Sequence, residues 1–150
     1  MLAAIQTFLR GYSLLPADGE PDEEHSLRSA VALLLLDVAR ADMEVTAEER
    51  QVARQLLERF FPVSRDQAQA LVDAAQREAE QATSLYPFTS LINRECDMDE
   101  RARIVGMLWK VSCADGKIDA HEEHIVRKVA DLLYVPHTRF IQAKLARSAD

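Results

Sequence analysis

The residues best suited to chemistry are five carboxylates in two acidic turns: Asp42 and Glu49 in "RADMEVTAEE", and Asp115, Asp119 and Glu122 in "CADGKIDAHEE". Carboxylates this closely spaced are the hard oxygen donors that calcium and similar divalent cations take. The second turn half-matches an EF-hand loop. If Asp115 is the fifth place of that twelve-residue loop, Gly116 is the glycine at the sixth, Asp119 the ninth and Glu122 the bidentate ligand at the twelfth. The first and third places are then Val111 and Cys113, and in the first turn Val38 and Arg40, none of which offers a hard oxygen side chain. An EF-hand is therefore not expected. A cation site of another kind requires the two turns to meet in space, and a divalent cation is the one cofactor these residues leave open.

The same residues work as helix punctuation without any ligand. Gly116 is free to adopt the left-handed conformation that ends a helix. Ile118, like Val45 in the first turn, is placed as a hydrophobic staple ahead of the next helix. Asp119 with Glu122, and Thr46 with Glu49, form capping boxes. Glu48, Glu49, Glu122 and Glu123 also suit the positive end of the helix dipole.

Other chemistry is sparse. His121 and His124 could share one helical face, but zinc needs three or four ligands and "HEEHI" is not HExxH. Cys96 and Cys113 lack CxxC spacing and read as reduced cytoplasmic thiols, and Trp109 as core. No nucleophile–base pair or phosphate-binding glycine loop is present, so no enzyme is expected. A net charge of −7 argues against a nucleic-acid partner. The longest apolar run, Ala30 to Leu36, is too short to span a bilayer, and the N-terminus has no basic start or cleavage site of a signal peptide.

The elements that must position the turns are helices. Only 4 Gly and 5 Pro occur in 150 residues, no alternating strand pattern appears, and Ala, Leu, Glu, Arg and Gln abound. A short helix over 2–10 and an acidic loop fill residues 1–22. Then come a strongly apolar, central helix over 23–40 and helices over 46–61, 64–82, 84–95, 98–113, 119–134 and about 136–146. Ser64 with Gln67 and Asp97 with Glu100 are further capping pairs, and Pro136 is expected at a first helical position.

Two segments match at a spacing of 73 residues, covering units of about 33–63 and 106–136. Ala41-Asp42 falls on Ala114-Asp115, Val45 on Ile118, Thr46 on Asp119, Glu49 on Glu122 and Phe61 on Tyr134. The fold expected is all-α: a single-domain bundle of about seven to eight helices with a pseudo-symmetric repeat of helical hairpins.

This doubled pattern resembles the TerB-like family, the tellurite resistance B domain, over roughly residues 25–147. By carry-over, Asp42 and Glu49 match its first acidic motif, and Asp115, Asp119 and Glu122 its second. Met43 replaces the glycine and Thr46 the second Asp of the pattern. The resemblance implies a cytoplasmic interaction module in metal-oxyanion or envelope stress, docking a protein partner, including a membrane-associated one, through an acidic face. It also implies two alternatives: a divalent-cation sensor using the acidic turns, and a co-chaperone-associated domain similar to that preceding a J-domain. "HPD" occurs nowhere in the chain, so co-chaperone action is not expected to be intrinsic to it.

Overall fold

Residues Ala30–Leu36, Val38 and Ala39 have no exposed surface at all, which follows from a segment too apolar to present a polar face. The computed structural model describes residues 23–114, 116 and 120–146, and among these they lie in the first of seven α-helices. The helices are α1 (Glu23–Ala39), α2 (Ala47–Phe60), α3 (Arg65–Ala79), α4 (Tyr86–Glu95), α5 (Met98–Ser112), α6 (Ala120–Leu132) and α7 (His137–Ala146). A 3-10 turn, Arg40–Asp42, joins α1 to α2, and no strand occurs among the described residues. The expected helix over 2–10 and loop to residue 22, Asp115, Ile118, Asp119 and the side chain of Asp42 lie outside the described residues.

Helix α1 is the hub, as its composition predicts. It packs on α2, α3, α4, α5 and α6, while α7 packs chiefly on α5. The other helices have one apolar face each; α3 buries Ala68, Leu71, Val72 and Ala75, the stripe its sequence spacing predicts.

Three expected capping boxes are formed. Thr46 Oγ1 accepts the Glu49 N–H at 3.1 Å and the Thr46 N–H donates to Glu49 Oε1 at 2.8 Å. Ser64 with Gln67 and Asp97 with Glu100 repeat the pattern at the starts of α3 and α5. Each box satisfies N–H groups that a helix start leaves without partners. At the other end of a helix, Asn93 Nδ2 and Arg101 Nη1 donate to the carbonyls of Leu132 and Leu133, at 2.9 and 3.0 Å. This closes α6 with a cation, which suits the negative end of its dipole.

The ends differ from expectation by small amounts. α3 stops at Ala79 rather than Ala82, and α7 begins at His137, so Pro136 sits just outside it with its carbonyl accepting from Phe140. One difference is structural. Phe61 and Tyr134 are matched in the repeat, yet Phe61 is buried in extended conformation while Tyr134 is 72% exposed with φ 55°. The N–H of Val135 bonds to Ala130 O and that of Tyr134 to Asp131 O, a Schellman closure that adds a left-handed step. The chain therefore returns to the core one residue later, and Val135 is the buried side chain.

Candidate functional site

The two turns share a left-handed residue and the hydrogen bond that its N–H makes. In the first, Met43 has φ 74° and its N–H donates to Arg40 O at 2.9 Å. In the second, Gly116 has φ +83° and its N–H donates to Cys113 O at 2.9 Å. These pairs are 73 residues apart, so the repeat holds at the level of single hydrogen bonds. Methionine takes the left-handed step that glycine takes in the second copy, and Val45 packs against the core just beyond it.

This makes a reciprocal prediction. A Cβ at Gly116 would meet nothing within 4 Å, so Gly116→Ala is penalised by conformation alone. Left-handed backbone costs a non-glycine residue roughly 1–2 kcal/mol. Gly116→Ala should lose about 1 kcal/mol and Met43→Gly gain a similar amount in urea unfolding. Shifts of the opposite signs would contradict the shared geometry.

The EF-hand alignment fails in space for the reason it fails in sequence. Val111 is a buried residue of α5, and the Cys113 N–H still bonds to Trp109 O at 3.1 Å, so the would-be first half of the loop is helix. Of the five candidate ligands, Glu49 and Glu122 are the two whose side chains are described. Both are buried, at 2% and 3% exposure. Their neighbours Glu44 and Glu48 lie exposed, and Glu123 is half-buried with an ion pair to Lys144 of α7. Sequence spacing assigns Glu49 and Glu122 to caps but gives no sign that their carboxylates point inward. Among the described residues no three His, Cys, Asp or Glu side chains form a group able to hold a metal ion; Asp115, Asp119 and the side chain of Asp42 lie outside them.

The first turn packs against α6, the helix that follows the second turn. Beneath it is a charged junction. Arg40 Nη1 donates to Ala79 O at 3.0 Å, tying the turn to the end of α3. Asp37, one turn earlier on α1, has its carboxyl raised above the ordinary range by burial, against the opposing pull of Arg40 and of Lys128 on α6. A raised folded-state pKa means the folded protein holds this proton more tightly than the unfolded chain. Its contribution to stability is full below the unfolded pKa and is lost as pH rises through the folded value. Asp37→Asn should therefore be more stable than the parent at pH 7. That gain should vanish on acidification, as read from urea midpoints across the series.

Across the bundle lies a feature that sequence reading missed. A groove of about 550 Å³ runs between α2, α5 and α7. Its charged lining is four cations, Arg59, Arg103, Lys110 and Arg139, against one carboxylate, Asp99. The signal on α5 is Arg103, Gly106 and Lys110, spaced to share one face, but the other cations come from two helices remote in sequence.

The sequence model of the family described as Tellurite resistance protein TerB matches residues 28–145. The chain belongs to the TerB family. The match runs from α1 into α7, so both turns, the Asp37 junction and the groove are parts of the TerB domain. No curated protein and no solved structure matches the chain. No helix among the described residues of this TerB domain is long and apolar enough to cross a membrane.

Proposed function

We propose that this TerB domain is a non-catalytic, cytoplasmic interaction module in the response to metal-oxyanion or envelope stress, docking a protein partner through the acidic surface beside its two turns. The observation that carries this reading is the packing of the first turn on α6, which brings the first acidic motif against the helix that follows the second turn. Glu44 and Glu48 stand exposed next to that turn, whereas Glu49 and Glu122 are buried. The test is affinity capture with Glu44→Gln, Glu48→Gln and Asp115→Asn combined. Recovery of the partner should fall; unchanged recovery would count against this surface.

A divalent-cation sensor is the second reading. It is favoured by the burial of Glu49 and Glu122 at equivalent positions of the repeat. The ion would be held by them with Asp42, Asp115 and Asp119. Thermal unfolding in EDTA and in millimolar calcium, manganese or zinc separates the two readings. An ion at 100 times its dissociation constant should add roughly 2.7 kcal/mol. The absence of any shift would leave the docking role and remove the sensor.

A further inference from the structure

We infer that the groove between α2, α5 and α7 is a docking site for an acidic amphipathic helix of a partner protein, distinct from the acidic face beside the turns. Charge is the first reason. The whole chain carries −7, yet the groove gathers four cations against one carboxylate. That one carboxylate, Asp99, has a side chain 81% exposed and is paired with Arg139 at 2.8 Å. Such surface pairs are weak, so an incoming carboxylate can take Arg139 in its place.

The second reason is the apolar floor. Leu56 and Phe60 of α2 and Met107 of α5 line the groove between the cations. Phe60 is only partly buried, and the Arg103 guanidinium lies over its ring at 4.8 Å from the centroid. An apolar strip flanked by cations complements one face of an acidic amphipathic helix, with apolar residues at i, i+3, i+4 and i+7 and glutamates beside them. A duplex nucleic acid, held mainly through its phosphates, uses no such floor, and any polyanion is repelled by the net negative charge of the chain.

The third reason is Gly106. It lies inside α5, where glycine is less favourable than alanine by roughly 1 kcal/mol. A Cβ there would meet nothing within 4 Å, so packing within the domain does not require glycine. Its missing side chain instead deepens the groove, where another backbone can approach closely.

The test uses a labelled, alanine-based helical peptide of about 15 residues, with a leucine stripe flanked by glutamates. Its anisotropy is followed on titration with the full chain, beside the same peptide carrying lysines for the glutamates. The acidic peptide should bind, more weakly as salt rises, and the lysine peptide should bind at least tenfold less tightly. Gly106→Leu and, separately, Arg103→Glu should each weaken binding at least tenfold. Arg103 is exposed, so its variant reads binding without disturbing the core, and circular dichroism with the thermal midpoint checks the leucine variant. Equal binding of both peptides, or binding indifferent to both substitutions, overturns the inference. So does preferential binding of a single-stranded oligonucleotide or of phosphatidylglycerol vesicles. Self-association abolished by Gly106→Leu would assign the groove to a second copy and likewise overturn it.

Discussion

Trp109→Ala should lose roughly 3–5 kcal/mol of stability, the cost of emptying a fully buried aromatic site. Trp109 has no exposed surface, and its ring lies 5.2 Å from that of Phe140, tilted at 49°. The Lys144 ammonium stands 5.5 Å from the same ring. Phe140 and Lys144 both belong to α7, whose main packing partner is α5. The indole is thus the body against which the last helix seats. Single domains have only about 5–15 kcal/mol in all, so this variant should unfold at much lower urea or temperature. Far-UV circular dichroism is the right readout, because Trp109 is the only tryptophan and its fluorescence is lost with it. Trp109→Phe keeps a ring in the site and should lose much less. Near-equal midpoints for the alanine variant and the parent would mean that α7 is not held by this contact. Because α7 forms one wall of the basic groove, the alanine variant should also lose any ligand of that groove.

The second large effect is chemical. Alkylation of Cys96 at pH 8 should run on the order of 100-fold slower than that of an ordinary thiol, since the thiolate is the reactive form. The Cys96 pKa is pushed up to about 11, first by burial, then by Glu100, Asp97 and Glu95, with Arg101 opposing. Two of those carboxylates, Asp97 and Glu100, are the capping box of α5, so the device that starts the helix also quiets the thiol beside it. A mass-spectrometric time course with iodoacetamide, in a Cys113→Ser background, isolates Cys96. Raising the pH toward 11 should restore its rate steeply. A rate near that of a free thiol at pH 8 would show that the site opens readily.

The fold was largely legible because its signals are local. Thr46 with Glu49, Ser64 with Gln67 and Asp97 with Glu100 mark helix starts within four residues, and the structure forms each of them. The apolar run of α1 identifies the hub for an equally simple reason: no polar face remains to meet water. Met43 was harder to read. The absence of glycine at that position looks like a departure from the repeat, whereas the backbone bends the same way in both copies. Sequence registers which residue tolerates a bend more readily than whether the bend is made. Phe61 and Tyr134 show the opposite case, where aromatic residues match in sequence but one left-handed step sends Tyr134 outward. Of the candidate site, the residue types were legible, but the inward orientation of Glu49 and Glu122 depends on the packing of whole helices. The basic groove depends on three helices meeting, and no single stretch encodes it.

The burial of α1 also governs how the chain must be made. This helix leaves the ribosome before the helices that cover it, with an apolar segment, Ala30–Leu36, that no polar face protects. Its cover comes from α2, α3, α4, α5 and α6, and the last of these ends at Leu132. At about 5–20 residues per second, the segment waits roughly 5–20 s for its last partner. Until α6 has been released, the apolar surface of α1 therefore lacks part of the cover that the finished domain gives it.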